Sequence, residues 1–184
     1  MLLGYIISQR GIEANPKKDS AVARMGPIQD FKGVQRFTGC LAALSHFILR
    51  LGEKALPLYR LLKKAKCFTW TFEAEEALDN LKKKLTIALI LVPPQPTKPL
   101  LLYVAATTQV VSAAVVVDRP EEGQALPVQR PVYFISKVLS DTKVSYPLVQ
   151  KLIYVVILAR RKLQHYFLGH PITVVSSFPL GEII

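Results

Sequence analysis

Few side chains in this sequence could do chemistry, and the densest group of them is acidic. Four carboxylates lie close together along the chain: Glu73, Glu75, Glu76 and Asp79. Such a group could hold a divalent cation. Three lysines follow it at positions 82–84, and acids before bases is the order that a helix dipole favours. We therefore expect a solvated helix here, with neither a metal site nor a cofactor.

Other catalytic patterns do not occur in the 184 residues. The sequence has no G-x-S-x-G, no Gly-rich phosphate loop and no H-E-x-x-H. The three histidines, His46, His165 and His170, lack metal-ligand spacing, so we interpret them as structural. Cys40 and Cys67 make neither a disulfide framework nor a zinc motif, which favours a cytoplasmic or nuclear protein with reduced thiols.

The charge of the chain is strongly positive and unevenly distributed. Apolar residues make up 51% of the sequence, enough to predict a folded core, and the net charge is +11. Residues 1–98 carry 16 basic and 8 acidic side chains, whereas residues 99–184 carry 8 and 5. A basic half attracts nucleic acid or an anionic membrane surface, although the same excess charge also keeps a soluble protein dispersed.

The first half of the chain is predicted to hold a strand pair and then helices. Gly4–Ser8 and the stretch around Ile12 are typical of short strands. Apolar spacing and capping residues predict four helices: residues 17–25, residues 30–51 capped by Asp30 and stopped by Gly52, residues 55–64, and a helix capped by Thr71.

The second half begins after a stiff Pro-rich linker at residues 93–98. The expected order is strand, strand, strand, helix, strand: Leu100–Ala105, Ser112–Val117, Pro131–Ser136, Tyr146–Phe167 and Ile172–Ser176. The charge-free stretch Pro99–Val117 approaches the length of a membrane span. Its Val-rich composition and central polar residues favour two buried strands instead, so we expect no membrane partner.

Seven local strings, in this order, resemble the pol polyprotein of plant gypsy-type LTR retrotransposons. They are Leu3-Gly4-Tyr5, Gly11-Ile12-Glu13-Ala14-Asn15-Pro16, Val34-Gln35-Arg36-Phe37-Thr38-Gly39, Ala42-Ala43-Leu44-Ser45-His46-Phe47-Ile48, Phe68-Thr69-Trp70-Thr71, Pro131-Val132-Tyr133-Phe134-Ile135-Ser136 and Arg161-Lys162-Leu163-Gln164-His165-Tyr166-Phe167. Each string alone is a weak signal. Together they cover nearly the whole chain.

The resemblance implies an α+β fold built from two units. Residues 1–92 would form the primer-grip strands and helical thumb-like unit that end a reverse transcriptase. Residues 99–184 would form a partial, degenerate RNase H-like domain: a truncated mixed sheet with one packed helix.

The resemblance also implies that the catalytic carboxylates are absent. Polymerisation needs paired aspartates that hold two metal ions, and this sequence contains no Asp-Asp. The three RNase H acids correspond to Ala105, Leu152 and Ser177, which cannot balance the charge of divalent cations. We therefore expect no enzymatic activity. Some plant lineages of the family carry such an acid-depleted copy, similar to a connection domain, before a second, active RNase H.

Nucleic-acid binding is the function that remains. In retroviral relatives a thumb helix lays Gln, Gly and Trp, four residues apart, along the minor groove of a duplex. Gln35 and Gly39 match the first two, and Ala43 replaces the third. A mid-helix glycine at position 39 also fits close helix–helix packing, which we weigh equally.

Six basic residues could add phosphate contacts: Lys17, Lys18, Lys32, Arg36, Lys63 and Lys64. Each alone is a typical solvated surface residue, so the prediction depends on their number. We expect weak, sequence-independent and salt-sensitive binding of an RNA–DNA hybrid or duplex.

Two other hypotheses follow from the last predicted strand. The RNase H fold normally continues with another helix and a parallel strand, so a chain ending at Ile184 is expected to leave Ile172–Ser176 as an apolar sheet edge. That edge predicts a homo-oligomer or a protein partner docked on the edge and thumb. The third hypothesis is a decayed reading frame without a selected role.

Overall fold

The computed structural model of the chain describes residues 5–8, 11–15, 20, 22, 24–28, 30–63, 68–85, 90–121 and 123–182. Within these residues the chain forms two β-sheets and a set of helices, in the order of strand pair, helices, larger sheet and packed helix. The predicted α+β class is confirmed.

The smaller sheet is antiparallel and has the order β1-β2-β3, with β1 at Tyr5–Ser8, β2 at Gly11–Ala14 and β3 at Ile90–Leu91. Gly11 has φ 140°, and a Cβ there would lie 2.3 Å from the Leu91 carbonyl oxygen. Only glycine accepts both that backbone conformation and that approach. The predicted strand pair is thus confirmed, and it carries a third strand from later in the chain.

Helix α1 spans Phe31–Ala43 and begins as predicted. The Asp30 side chain caps it by accepting a hydrogen bond from the Gly33 N–H at 2.7 Å. Val34, Phe37 and Leu41 are fully buried on one side of the helix and join the first hydrophobic core. Of the short helix predicted over residues 17–25, Ser20 and Val22 are helical, Arg24 lies in a turn and Met25 is not helical, and the other positions lie outside the described residues.

The predicted continuation of that helix to Leu51 is wrong. The chain leaves the α1 axis at Leu44, forms a 3₁₀ turn over Ser45–Phe47 and enters α2 (Leu51–Lys54) through Arg50 at φ 57°. Gly52 lies inside α2 and ends no helix. The apolar residues keep helical spacing as far as Leu51, but the chain turns at Leu44 because α2 packs on the larger sheet.

Two further helices complete the first core. α3 spans Leu56–Lys63 and α4 spans Phe72–Leu85, close to the predicted positions. The Thr71 hydroxyl caps α4 by accepting from the Ala74 N–H at 3.2 Å, as expected. Leu58 and Leu81 are fully buried between these helices and α1.

The larger sheet is mixed, with the order β6-β5-β4-β7. Three of its strands are longer than predicted: β4 at Leu100–Ala106, β5 at Val110–Arg119 and β6 at Val128–Val138. The fourth, β7 at Ile172–Val175, ends one residue before the predicted Ser176. β4, β5 and β6 are antiparallel, and β7 lies parallel to β4 at the edge.

The stretch weighed as a membrane span forms β4 and β5. No helix in the described part of the chain is long and apolar enough to cross a membrane. The register of β5 and β6 shifts between Val115 and Val116, next to Pro131 of β6. Because proline cannot donate a ladder hydrogen bond, an edge strand and a register shift are where it is tolerated.

One long helix packs on the larger sheet, but it is shorter than predicted. After the single turn α5 (Asp141–Val144), α6 spans Leu148–Lys162, and α7 (Gln164–Gly169) follows a break at Leu163. Pro147 precedes α6, and the residue before a proline is disfavoured in a helix, which explains why Tyr146 lies outside. Val155 and Ala159 of α6 are fully buried against Leu100 and Leu102 of β4.

A polar junction joins the helices to the larger sheet. The Gly52 N–H of α2 donates to Ser136 Oγ at 2.9 Å, and Ser136 Oγ lies 3.0 Å from Ser112 Oγ on the neighbouring strand. The His46 ring stacks on Tyr133 with a centroid distance of 5.4 Å. The predicted division at residues 93–98 remains a prediction.

Candidate nucleic-acid interface

The outward face of α1 holds four of the residues predicted to touch nucleic acid. Lys32, Gln35, Arg36 and Gly39 are exposed at three- and four-residue spacing, which places them on one side of the helix, and the exposed Ala43, which replaces the expected Trp, follows on the same side. We call these five residues the α1 face. The buried positions of the helix lie on its other side, so the amphipathic pattern itself turns the α1 face outward.

The polar side chains of the α1 face have no partner within the described residues. Lys32, Gln35 and Arg36 make no side-chain hydrogen bond or ion pair with any of them, and α1 contains no acidic residue. Two cations and an amide are therefore exposed on this helix without a described partner. The Asp30 carboxylate, which precedes the helix, accepts the capping hydrogen bond from the Gly33 N–H.

Gly39 lies open on this face. A Cβ built at this position meets no described atom within 4 Å. Among the described residues, therefore, no helix packs closely on Gly39, and the approach of another molecule to this glycine stays a prediction.

Lys63 lies at the end of α3, on the junction between the helices and the larger sheet. Its Nζ is 3.0 Å from Asp141 Oδ1, and both side chains are largely exposed. Exposed ion pairs contribute about 0–1 kcal/mol to stability, so a phosphate could replace Asp141 as the partner of Lys63 at little energetic cost. Lys17, Lys18 and Lys64 lie outside the described residues.

The three positions that the resemblance assigns to RNase H acids lie on β4, on α6 and just after β7. Ala105 and Ser177 each lie two residues beyond the parallel pair Tyr103–Val175, at the same end of two adjacent strands. Both are exposed, whereas Leu152 on α6 is 3% exposed. A methyl group, a hydroxyl and a buried isobutyl group offer no anionic ligand for a cation.

A buried ammonium at the same end of the sheet was not predicted. Lys151 is 6% exposed, and its Nζ donates to the Thr108 carbonyl oxygen in the turn that follows β4. No sequence signal distinguishes it, because a lysine on a helix is usually solvated. It lies next in sequence to Leu152, one of the three positions that the resemblance assigns to acids.

The acids of α4 do not form a metal cluster. Within the described residues no three His, Cys, Asp or Glu side chains gather to hold an ion. Glu75 instead accepts a hydrogen bond from Trp70 Nε1 at 2.5 Å.

Sequence reasoning also missed a cavity of about 700 Å³ at the junction. Its lining includes Tyr59 of α3, Lys137 of β6, Lys143 of α5 and Tyr154 of α6. Burial raises the pKa of the Tyr59 hydroxyl above its ordinary value. These residues are distant in sequence, and no local pattern connects them.

Comparison with known proteins places the chain among polyproteins of retroviruses and transposons. It is 30% identical over 183 residues to the Gag-Pol polyprotein of woolly monkey sarcoma virus, covering 99% of this chain and 10% of that protein. It is 29% identical over 178 residues to the retrovirus-related Pol polyprotein from transposon opus of Drosophila melanogaster, covering 91% and 17%. The chain thus spans only about a tenth to a sixth of these relatives.

Solved structures show the same fold. A foamy viral protease-reverse transcriptase in complex with dsDNA has a TM-score of 0.77 and 22% identity, covering 100% of this chain and 37% of that one. The same type of protein in complex with an RNA/DNA hybrid has a TM-score of 0.76 and 21% identity, covering 96% and 23%.

Residues 70–174 match the family described as the RNase H-like domain found in reverse transcriptase. This match covers more than half of the chain and includes the whole larger sheet apart from the final residue of β7. The chain therefore belongs to the RNase H-like domain family of reverse transcriptases in retroviral and retrotransposon Pol polyproteins.

Proposed function

We propose that the chain is a catalytically inactive segment of a retrotransposon polyprotein that holds a nucleic-acid duplex on the α1 face. The observation that carries the proposal is the exposure of Lys32, Gln35 and Arg36, which have no partner in the described part of the chain, beside Gly39. The seven local strings support an origin in the plant gypsy type. Related folds solved with dsDNA and with an RNA/DNA hybrid support a duplex as the ligand.

The chemistry of the α1 face suits a phosphate backbone and a groove. Lys32 and Arg36 would neutralise phosphates, which gives affinity without sequence preference. The Gln35 amide can both donate and accept, so it suits base edges in the minor groove. Gly39 would allow the strand to approach the helix closely. Ala43 offers no stacking surface, so we expect weak binding.

The inactivity rests on the three replaced acid positions and on Lys151. A two-metal mechanism needs carboxylates that bring two cations together, and Ala105, Leu152 and Ser177 supply none. The buried Lys151 ammonium adds a charge that disfavours a nearby cation. The wild-type protein should leave an RNA–DNA hybrid uncut in Mg²⁺ or Mn²⁺. Metal-dependent cleavage by pure protein would overturn this part of the proposal.

Fluorescence anisotropy of a labelled RNA–DNA hybrid tests the binding surface. The variant Lys32→Gln/Arg36→Gln removes both cations of the α1 face. The matched control Lys84→Gln/Lys98→Gln removes two exposed lysines elsewhere and the same total charge. Each lost phosphate contact makes the negative slope of log K against log salt shallower by about 0.9. The slope of the first variant should therefore be shallower than that of the wild-type protein by about 2.

The control separates a defined surface from general charge. If both double variants weaken binding equally, the net charge attracts the hybrid and the α1 face has no special role. If the wild-type protein binds no hybrid at about 50 mM salt, the proposed function is wrong.

A second candidate function is protein docking along β7. β7 pairs with β4 on one side, no described strand lies on its other side, and Thr173 and Val174 are exposed. An open strand edge can add a strand from another chain, including a second copy of this one. Pairing that persists at high salt and is lost in Val174→Lys would favour this function. If the protein binds no hybrid, pairs with no other chain and folds only marginally, a decayed reading frame is the favoured explanation.

A further inference from the structure

A second cluster of cations lies in the 700 Å³ cavity between the helices and the larger sheet. The Lys137 Nζ is 5.7 Å and the Lys143 Nζ is 5.2 Å from the centroid of the same ring, Tyr154. Two ammonium groups, one from β6 and one from α5, therefore lie beside the same aromatic ring. Their positive charges add in the electrostatic potential of the cavity.

No described carboxylate compensates this pair. Neither Lys137 nor Lys143 forms an ion pair with any described residue. The one acid that lines the cavity, Asp141, is paired with Lys63. The cavity lining thus carries three lysines against one carboxylate.

The apolar walls of the cavity strengthen the electrostatic field of these excess positive charges. Leu51, Val138 and Leu139 line the cavity beside the lysines. Apolar walls focus the field of a charged cleft and raise the local concentration of counter-ions. An anion of small size and high charge is the ligand that such a cleft favours.

We propose that Lys137 and Lys143 form a phosphate-binding site against Tyr154. Phosphate oxygens accept charge-assisted hydrogen bonds from ammonium groups, and the charge of a phosphate offsets that of the lysines. The proposal partly rests on the proposed function, because Ala42 of α1 lines the same cavity. A duplex lying on the α1 face would therefore pass this site. A free phosphate compound is the other source of the same group.

Two probes distinguish these sources. Inorganic pyrophosphate, titrated into the wild-type chain and followed by amide chemical shifts, reports on the site without any nucleic acid. We expect shifts over residues 136–143 that Lys137→Gln/Lys143→Gln abolishes and that the charge-conserving Lys137→Arg/Lys143→Arg retains. The labelled hybrid then tests whether a strand uses the site: Lys137→Gln/Lys143→Gln should weaken its binding about tenfold or more at about 0.1 M salt, and Lys84→Gln/Lys98→Gln much less.

The pyrophosphate titration and the hybrid-binding assay can give negative results independently of each other. Pyrophosphate shifts without any hybrid effect would keep the site and assign it to free phosphate compounds. Loss of hybrid binding in Lys32→Gln/Arg36→Gln but not in Lys137→Gln/Lys143→Gln would keep the proposed function and remove the strand from this cavity. If pyrophosphate shifts no amide over residues 136–143 and the hybrid ignores the Lys137→Gln/Lys143→Gln variant, the inference is wrong.

Discussion

Replacing Gly52 by alanine should separate the helices from the larger sheet. A Cβ at this position would lie 2.8 Å from Ser136 Oγ and 2.9 Å from Val110 Cγ1. Both distances are shorter than Cβ contacts in proteins normally are, and the two atoms belong to neighbouring strands of a packed sheet. Helix α2 must therefore move away, and the hydrogen bond from the Gly52 N–H to Ser136 weakens as it does.

The size of the effect follows from three contributions. Overpacking by one methyl group costs about 1–3 kcal/mol, and a lost hydrogen bond costs about 0.5–1.5 kcal/mol. Alanine in a helix recovers at most about 1 kcal/mol relative to glycine. The free energy of unfolding should therefore fall by about 0.5–4.5 kcal/mol, which corresponds to a Tm about 1–18 °C lower in a chain of this size.

Urea unfolding of wild type, Gly52→Ala and Gly39→Ala measures this difference. Gly39 is the matched control, because it is helical and has open space around it. Gly39→Ala should stabilise the protein by about 0.5–1 kcal/mol. The double variant Gly52→Ala/Ser136→Ala should recover part of the loss, since it removes the nearer contact. If Gly52→Ala is as stable as Gly39→Ala, α2 does not pack on the sheet in this way.

Two further predictions concern ionisable groups. Because burial raises the pKa of Tyr59, its contribution to stability is present below about pH 10 and is lost as the pH rises towards the raised folded pKa. Alkaline unfolding curves should therefore show wild type losing stability relative to Tyr59→Phe, and parallel curves would refute this. Leu152→Glu should cost about 3–5 kcal/mol at pH 7 and less at pH 4, whereas Ala105→Asp, at an exposed position, should cost under about 1 kcal/mol in the same assay.

Local signals in the sequence predicted most elements of the fold. Caps marked the starts of α1 and α4, since Asp30 and Thr71 satisfy backbone donors that any helix leaves open. Alternating and continuous apolar runs located the four strands of the larger sheet. Helix caps and apolar runs depend on residues that are close in sequence, so they can be predicted without knowledge of the tertiary structure.

The errors arose where distant contacts decide the local conformation. The apolar spacing from Leu44 to Leu51 is helical, yet the chain turns there to bring Gly52 onto Ser136, 84 positions later. Such an interaction leaves no trace in local periodicity. The start of the last long helix was different, because Pro147 was a local signal that should have excluded Tyr146.

The candidate site could be predicted only in part. The spacing of Gln35, Gly39 and Ala43 fixed a helix face, but burial was needed to show that this face is exposed and that Gly39 has open space. The burial of Lys151 and the convergence of Lys137 and Lys143 on Tyr154 depend on tertiary packing, which the sequence does not display.

The most direct test of whether a duplex lies on the α1 face is the affinity of the Gly39→Ala variant for the hybrid, measured together with its free energy of unfolding. If a duplex lies closely along the α1 face, the added methyl group should weaken binding while the free energy of unfolding rises. Opposite changes in affinity and stability cannot come from damage to the fold. If Gly39→Ala binds the hybrid as tightly as the wild-type protein while Lys84→Gln/Lys98→Gln binds it more weakly, the duplex does not contact the α1 face and the account is contradicted.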